Sequence, residues 1–424
     1  VSSTGTRARA VAEHQDEVQQ LLAGWLGQVP ARTETLDLAQ AAGRILAGDV
    51  KAPHSLPPFA NSQMDGYAVR AADLASAPEP AGASDPAGVL LPVAAPIPAG
   101  TAAPALAPAT AAPIMTGAML PAGADAVVPI ERAVPDSFYP DTELDGAIVK
   151  LPGGVHAGQF VRPTGSDIAQ GAVALAAGTR LGAPQLGLLA GLGIASVTVR
   201  ARFRVLLLST GDEVVEPGRP LAPGQIHDAN TTLLAVSLRE AGAEVINSRI
   251  IADQPELFLA QLQEDLGRHP VDLVLTSGGI SKGAYEVVRQ ALSSAGVRFL
   301  PVAMQPGGPQ GIGGVNGVPF LAFPGNPVSC LVSFEMFLRP ALSVLTGLPV
   351  PRRQVHARLS GDAASPPGKH QVRRGRYADG IVELVGGPGS HLIHALASSN
   401  ALVQLPEGIE AVADGSEVTV WLLE

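Results

Sequence analysis

Carboxylates, hydroxyls and glycines recur in the second half of the chain, each group directly after a short apolar run. Ser209-Thr210-Gly211-Asp212-Glu213 follows residues 205–208, and Thr276-Ser277-Gly278-Gly279-Ile280-Ser281-Lys282-Gly283 follows 271–275. Gln305-Pro306-Gly307-Gly308-Pro309 follows 299–304, and Pro324-Gly325-Asn326-Pro327 follows 319–323. Paired carboxylates such as Asp212 and Glu213 suit Mg²⁺, which takes oxygen ligands and keeps waters while contacting phosphate. A solvated acidic turn reads equally well from this motif alone. The second loop lacks the spacing of a P-loop, yet its glycines, hydroxyls, lysine and following helix N-terminus are what a phosphate needs. Glu286, in the first turn of that helix, reads as an active-site acid or as a partner of the helix dipole. Gln305–Pro309 and Pro324–Pro327 read as rigid turns that shape a pocket.

The elements around these loops explain why they should meet. Strands are expected at 205–208, 243–251, 271–275, 299–304 and 319–323, with helices at 231–241, 254–266, 285–295 and 328–345. Such alternation predicts a doubly wound, mostly parallel sheet. All four loops then lie on its carboxyl edge, where open α/β sheets bind ligands. Asn230, just ahead of one helix, is most simply an N-cap.

The earlier chain is less regular. Val11–Leu26 carries Val18, Leu21, Leu22 and Trp25 at helical spacing, and a short helix is expected at 37–46. Residues 53–145 are Pro-rich with short β-prone pieces, and 75–88 read as a mobile loop. Residues 352–424 read as short strands and turns after the linker Pro349-Val350-Pro351. The expected class is therefore α/β multidomain: the sheet domain, a β-rich insertion, a mixed linking domain and a small C-terminal β-domain. At 424 residues, roughly two to four domains are expected.

Composition narrows the partners. A net charge of −10 argues against a general nucleic-acid or anionic-membrane binder. The single cysteine, Cys330, rules out an internal disulfide and a cysteine-cluster metal site, and reads as a buried structural thiol. The uncharged stretches 86–124 and 181–199 are broken by proline and glycine, so no membrane span is expected. Glu13-His14-Gln15-Asp16-Glu17 stands where a secretory signal would be apolar, and a reducing cytoplasm is the expected compartment. The cluster Arg373-Arg374-Gly375-Arg376, with Lys369 and His370, would attract an anion but reads first as solvated surface.

Taken in order, the motifs resemble one family, MoeA, the molybdopterin molybdenumtransferases, whose eukaryotic relatives include the E domain of gephyrin. The resemblance rests on Pro57-Pro58-Phe59-Ala60-Asn61-Ser62-Gln63-Met64-Asp65-Gly66-Tyr67-Ala68-Val69, on Ile114-Met115-Thr116-Gly117 with Leu120 through Val128, and on Ser209 through Glu213. It continues in Ser277-Gly278-Gly279-Ile280-Ser281 and in Leu321-Ala322-Phe323-Pro324-Gly325-Asn326-Pro327-Val328-Ser329. Five motifs in family order span nearly the whole chain.

The resemblance implies a homodimer with four domains per subunit: a linking domain (1–52 and 146–200), a β-rich insertion (53–145), the molybdopterin-binding α/β domain (201–348) and a β-domain (349–424). It implies hydrolysis of adenylated molybdopterin with Mg²⁺, releasing AMP as molybdate enters the dithiolene. Its active site joins the sheet domain of one subunit to the β-rich insertion of the other. Asp65, Thr116, Asp167, Asp212, Glu213, Asp228 and Glu286 fall on functional positions, with Asp212, Glu213 and Asp228 as metal ligands. Substrate contacts are implied for Ser209, Thr210, Gly211, Ser277, Gly278, Gly279, Lys282, Pro324, Gly325, Asn326, Pro327 and Ser329. Molybdate contacts fall on Ser281, Pro309, Lys369 and Ser390. An upstream molybdopterin adenylyltransferase and downstream apo-molybdoenzymes or their chaperones are the implied partners. One departure stands out: many members read Lys-Pro-Gly-Lys-Pro where this chain has Gln305-Pro306-Gly307-Gly308-Pro309, so both lysines are absent. Lys282 is the expected compensating cation. A paralogue handling tungstate and a weakly catalytic pterin-holding scaffold are the rival readings.

Overall fold

The computed structural model describes residues 7–75, 88–280 and 286–423. It contains two compact units, residues 34–199 and residues 1–33 with 200–424.

In the first unit, strands β1 (Gly66–Val69), β2 (Ala112–Ile114) and β3 (Ala126–Pro129) form a three-stranded sheet with β1 in the centre. All three are fully buried, because apolar clusters pack on both faces: Tyr67, Val69 and Val128 on one, Ala68, Ile114 and Val127 on the other. The expected helix at 37–46 does not form. Gly43 sits at φ 75°, and Ile45 and Leu46 enter bridges to Arg180 and Val199. Leu46 is buried against Leu181, Leu189 and Val199, so tertiary burial outweighs local helix preference. The expected mobile loop at 75–88 lies, but for its two end residues, outside the described residues.

The second unit opens with α1 (Val11–Leu26), which buries Val11, His14, Val18 and Leu22. The helix falls in the stretch expected to form the linking domain, but it packs with the sheet. That sheet contains β4 (Arg204–Thr210), β5 (Glu244–Ile251), β6 (Leu273–Ser277), β7 (Val297–Pro301), β8 (Pro309–Val315) and β9 (Val318–Phe323). Their spatial order is β5-β4-β6-β9-β8-β7. The first four run parallel, β8 is antiparallel to both neighbours, and β7 therefore points the same way as β9.

Strand β8 was not expected, since its three glycines resemble a turn. They are needed in the strand: a Cβ on Gly313 would lie 2.2 Å from Gly296 O, and one on Gly311 2.8 Å from Ala322 Cβ. The run expected at 299–304 is divided. After β7, Met304–Gln305 pairs instead with His370–Gln371.

The helices are α2 (Asn230–Glu240), α3 (Pro255–Arg268), α4 (Val287–Leu292), α5 (Pro327–Ser333) and α6 (Arg339–Thr346). A π-turn at Phe334–Leu338 joins α5 to α6. Pro340 has no N–H to give the carbonyl four residues back, Met336. Gln15 of α1 donates its Nε2 to that oxygen at 2.9 Å instead. The continuous run Pro327–Thr346 has the length and hydropathy of a membrane span, but 72% of its apolar window is buried in the fold, as in a core helix.

The C-terminal strands β10 (Gln354–Ser360), β11 (His370–Ala378), β12 (Ile381–Leu384), β13 (Ala401–Leu405) and β14 (Glu417–Leu422) close on themselves. Their order is β11-β12-β10-β14-β13, and β13 pairs back with β11. The expected α/β multidomain class is the one observed.

Candidate functional site

Because β4, β5, β6, β7 and β9 all run one way, their carboxyl ends open on one edge. A cavity of about 1050 Å³ lies there. Ser209, Thr210, Gly211 and Glu213 reach it from β4, and Ser277, Gly278, Gly279 and Glu286 from the loop after β6 and the start of α4. Gln305–Pro309 lines it after β7, and Pro324, Gly325, Asn326, Pro327 and Ser329 line it after β9. Asp228 and Asn230 border it at the start of α2, and Lys369 and Ser390 come from the C-terminal barrel. The structure thus brings together most of the sheet-side residues singled out in the sequence. Asp212 is not in the cavity wall; its Oδ1 accepts the N–H of Asp253 at 2.9 Å. Ser281 and Lys282 lie outside the described residues.

Asp253 is a lining residue that sequence reading missed. It sits on a fifth loop, after β5, and only the parallel pairing of β5 with β4 brings it to this edge. Burial pushes its carboxyl pKa up, and the charges of Asp212, Glu213 and Glu286 push the same way. The loops of β4, β5 and β6 therefore concentrate negative charge on one side of the cavity.

The glycines work chiefly by letting the loops approach. Gly278 has φ +93°, and a Cβ there would sit 2.9 Å from Thr210 O. One on Gly279 would meet Thr210 Oγ1 at 2.8 Å, and one on Gly325 would meet Gly278 Cα at 3.3 Å. The Gly278 N–H is already donated to Phe323 O, at 3.0 Å, so it is not an exposed phosphate donor as the sequence suggested.

Asn230 is not the N-cap of α2. Asp228 takes that part, accepting from Thr231 N at 3.0 Å and Thr231 Oγ1 at 2.6 Å. Asn230 instead ties two loops, its Nδ2 donating to Ser277 Oγ at 2.7 Å and Gly325 O at 2.6 Å. Cys330 is buried behind them, and burial pushes its thiol up to about 12, consistent with a structural role.

Few of the lining residues are cationic. Gln305 and Gly308 are both in the wall, and Gln305 Oε1 is held by Gln371 Nε2 at 2.7 Å. Among the described lining residues the basic side chains are Lys369, His227 and His391. The expectation that Arg373 and Arg374 are solvated surface does not hold: they are 9% and 2% exposed. Arg373 donates to Gly386 O at 3.2 Å, and Arg374 to Gly389 O at 3.2 Å and to Gly387 O.

The other sequence candidates belong to the first unit. Asp65 precedes β1 and Thr116 follows β2, and the register Gly66↔Ile114 brings their loops together. Asp65 Oδ1 accepts from Thr116 N at 2.6 Å and Thr116 Oγ1 at 2.7 Å. Those bonds hold the Asp65 carboxyl below the usual range. Asp167 is exposed, and its N–H donates to Leu56 O at 3.0 Å.

Comparison with known proteins covers nearly the whole chain. Residues 9–193 match the family described as "MoeA N-terminal region (domain I and II)", 206–344 the "Probable molybdopterin binding domain" and 356–423 the "MoeA C-terminal region (domain IV)". "Molybdopterin molybdenumtransferase 2" of Mycobacterium tuberculosis is 44% identical, over 97% of this chain and 99% of that protein. "Molybdopterin molybdenumtransferase" of Haemophilus influenzae is 36% identical, over 92% and 94%. Among solved structures, a molybdopterin biosynthesis MoeA protein from Pyrococcus horikoshii superposes with a TM-score of 0.80 at 30% identity, covering 99% of this chain and 100% of that one.

Proposed function

The chain belongs to the MoeA family, the molybdopterin molybdenumtransferases of molybdenum cofactor biosynthesis, and we propose that it hydrolyses adenylated molybdopterin, releasing AMP as molybdate is inserted at the dithiolene. The observation that carries this reading is one cavity lined both by Glu213, Asp228, Asp253 and Glu286 and by Lys369 and Ser390. Cleavage of a phosphoanhydride needs a cation held by carboxylates, and oxyanion insertion needs a separate pocket for a tetrahedral dianion.

The residues fit Mg²⁺. Glu213 and Asp228 both line the cavity, and two protein carboxylates completed by water and substrate phosphate are the usual manner of holding this ion. The crowded charges around Asp253 are what a divalent cation would relieve. Glu213 and Asp228, which line the cavity, would hold it, with Asp212 adding charge from outside the wall, and when bound it would neutralise phosphate charge and polarise the bond to be broken. Asp228 keeps lone pairs beyond those used by Thr231, since a carboxylate offers about four. Glu286, Ser277, Thr210 and Ser209 orient the pterin-nucleotide, with Gly211, Gly278, Gly279, Pro324, Gly325, Asn326, Pro327 and Ser329 shaping the pocket. Ser281, Pro309, Lys369 and Ser390 take the molybdate.

In this reading the working molecule is a homodimer, and Asp65, Thr116 and Asp167 of a second subunit complete the site. In this reading the chain divides into 1–52 with 146–200, 53–145, 201–348 and 349–424, except that α1 goes with the sheet domain. An adenylyltransferase supplies the substrate, apo-molybdoenzymes or their chaperones take the product, and the reaction is cytoplasmic. A second reading, tungstate in place of molybdate, is favoured by Gln305 and Gly308 at positions where lysines are usual.

The test supplies purified protein with adenylated molybdopterin, Mg²⁺ and molybdate or tungstate, and follows AMP and cofactor formation. AMP release that depends on oxyanion supports the proposal. Absence of AMP under every condition sinks it, and faster turnover with tungstate favours the second reading.

A further inference from the structure

The strongest unassigned feature is a pair of buried cations with no counter-ion. Arg373 and Arg374 are 9% and 2% exposed, and among the described residues neither is paired with a carboxylate. A buried charge is ordinarily paired, because desolvation is costly. These two meet only carbonyls of one loop: Gly386 O for Arg373, Gly387 O and Gly389 O for Arg374. The same loop continues into Gly389, Ser390 and His391, which line the cavity, beside Lys369.

Two physical consequences follow. In a trans peptide the carbonyl and the following N–H point opposite ways. With Gly389 O turned toward Arg374, the Ser390 N–H is turned away from it. The loop is also fixed at its far end, where Ser390 O accepts Val328 N at 3.0 Å. The uncompensated positive charge, in a medium less polar than water, reaches several ångströms beyond the guanidinium planes.

We propose that Arg374, supported by Arg373, supplies from behind the loop the positive field for a tetrahedral oxodianion bound at Ser390 and Lys369, in a wall where Gln305 and Gly308 carry no charge. This rests on the function proposed above and names how its oxyanion subsite is built. Arg374 is a positioning residue: it aligns the loop peptides and supplies charge, without touching the anion. The carbonyls it holds are neutral, so the charge is not spent in the fold.

The experiment titrates the full chain, without pterin, with molybdate (a dianion) and perrhenate (a tetrahedral monoanion) by calorimetry. Arg374→Gln should weaken molybdate about tenfold and perrhenate distinctly less, whereas Arg374→Lys should keep most of the affinity for both. Should Arg374→Gln not fold, Arg373→Gln, which removes a single carbonyl contact, should show the same selective loss for the dianion. Equal loss for both anions, or equal loss in the Gln and Lys variants, would reduce Arg374 to a loop brace and overturn the inference. Wild-type protein that binds neither anion overturns it as well. AMP release by the wild type, measured separately, judges the proposed reaction by itself.

Discussion

Asp65 Oδ1 accepts two hydrogen bonds from one residue, Thr116, 2.6 Å from its N–H and 2.7 Å from its Oγ1. The pair holds an exposed carboxylate charged and oriented through Oδ1. The Asp65 pKa lies below the ordinary range because both donors favour the charged form. Removing a donor must therefore raise it. Thr116→Val is expected to move the acid limb of AMP release to higher pH, while Thr116→Ser leaves it in place. Asp65→Asn should lower kcat by roughly 100-fold or more if the carboxylate takes part in proton transfer. A pH–rate profile of the three variants checks this.

Gly308→Lys should lower the molybdate concentration needed for half-maximal rate. Gly308 has no positive φ, and the new Cβ would lie 3.3 Å from Met304 O and 3.4 Å from Val302 O, a tight fit that asks those carbonyls to give by a few tenths of an ångström. Gln305→Lys should do less, because it also breaks the contact to Gln371 Nε2. An unchanged molybdate dependence in Gly308→Lys would show that the missing lysine is irrelevant to anion capture.

Gly278→Ala should destabilise the fold and empty the site together. It combines φ +93° with a Cβ 2.9 Å from Thr210 O, and a loss of ~2–3 kcal/mol is expected. Gly218→Ala has a similar φ of +90° with nothing within 4 Å, so a loss of only about 1 kcal/mol is expected there. Thermal denaturation of the two variants separates steric contact from backbone strain.

Chelation of Mg²⁺ should stop AMP release. Glu213→Gln and Asp228→Asn should each raise the Mg²⁺ concentration giving half-maximal rate, and added Mg²⁺ should restore part of the activity. A rate indifferent to Mg²⁺ would remove both carboxylates from the metal-binding role.

His14 makes the stability of the sheet unit pH-dependent. It is buried edge-on to Phe337, with centroids 4.6 Å apart and neither ring nitrogen hydrogen-bonded. Burial lowers its pKa to about 4, with the charge of Arg298 acting in the same direction. The unfolded chain therefore binds this proton at higher pH than the folded one. Its stabilising contribution is complete above pH 6.5 and is lost as pH falls through about 4, on the order of 3 kcal/mol in all. His14→Leu should flatten the melting temperature between pH 6.5 and 4, and an unchanged slope would assign that acid sensitivity elsewhere.

Much of this architecture can be read from local pattern. The apolar runs that became β4, β6 and β9, the spacing of Val18 and Leu22 on α1, and the loops at Thr210, Gly278 and Gly325 all declare themselves within one element. Such features depend on periodicity and on backbone conformations that only certain residues adopt, so they survive without knowledge of neighbours. Tertiary contact decided the rest. Asp253 joins the site because β5 lies beside β4, and β8 forms because its glycines let β7 and β9 approach. Asp228 caps α2 while Asn230 ties Ser277 to Gly325, a division of labour that two adjacent polar residues do not reveal. Arg373 and Arg374 are charged in any chain; only the closed C-terminal barrel buries them against the carbonyls of Gly386, Gly387 and Gly389. Burial and hydrogen-bond partners are properties of residues far apart in sequence, and the chemistry of this site is written in those.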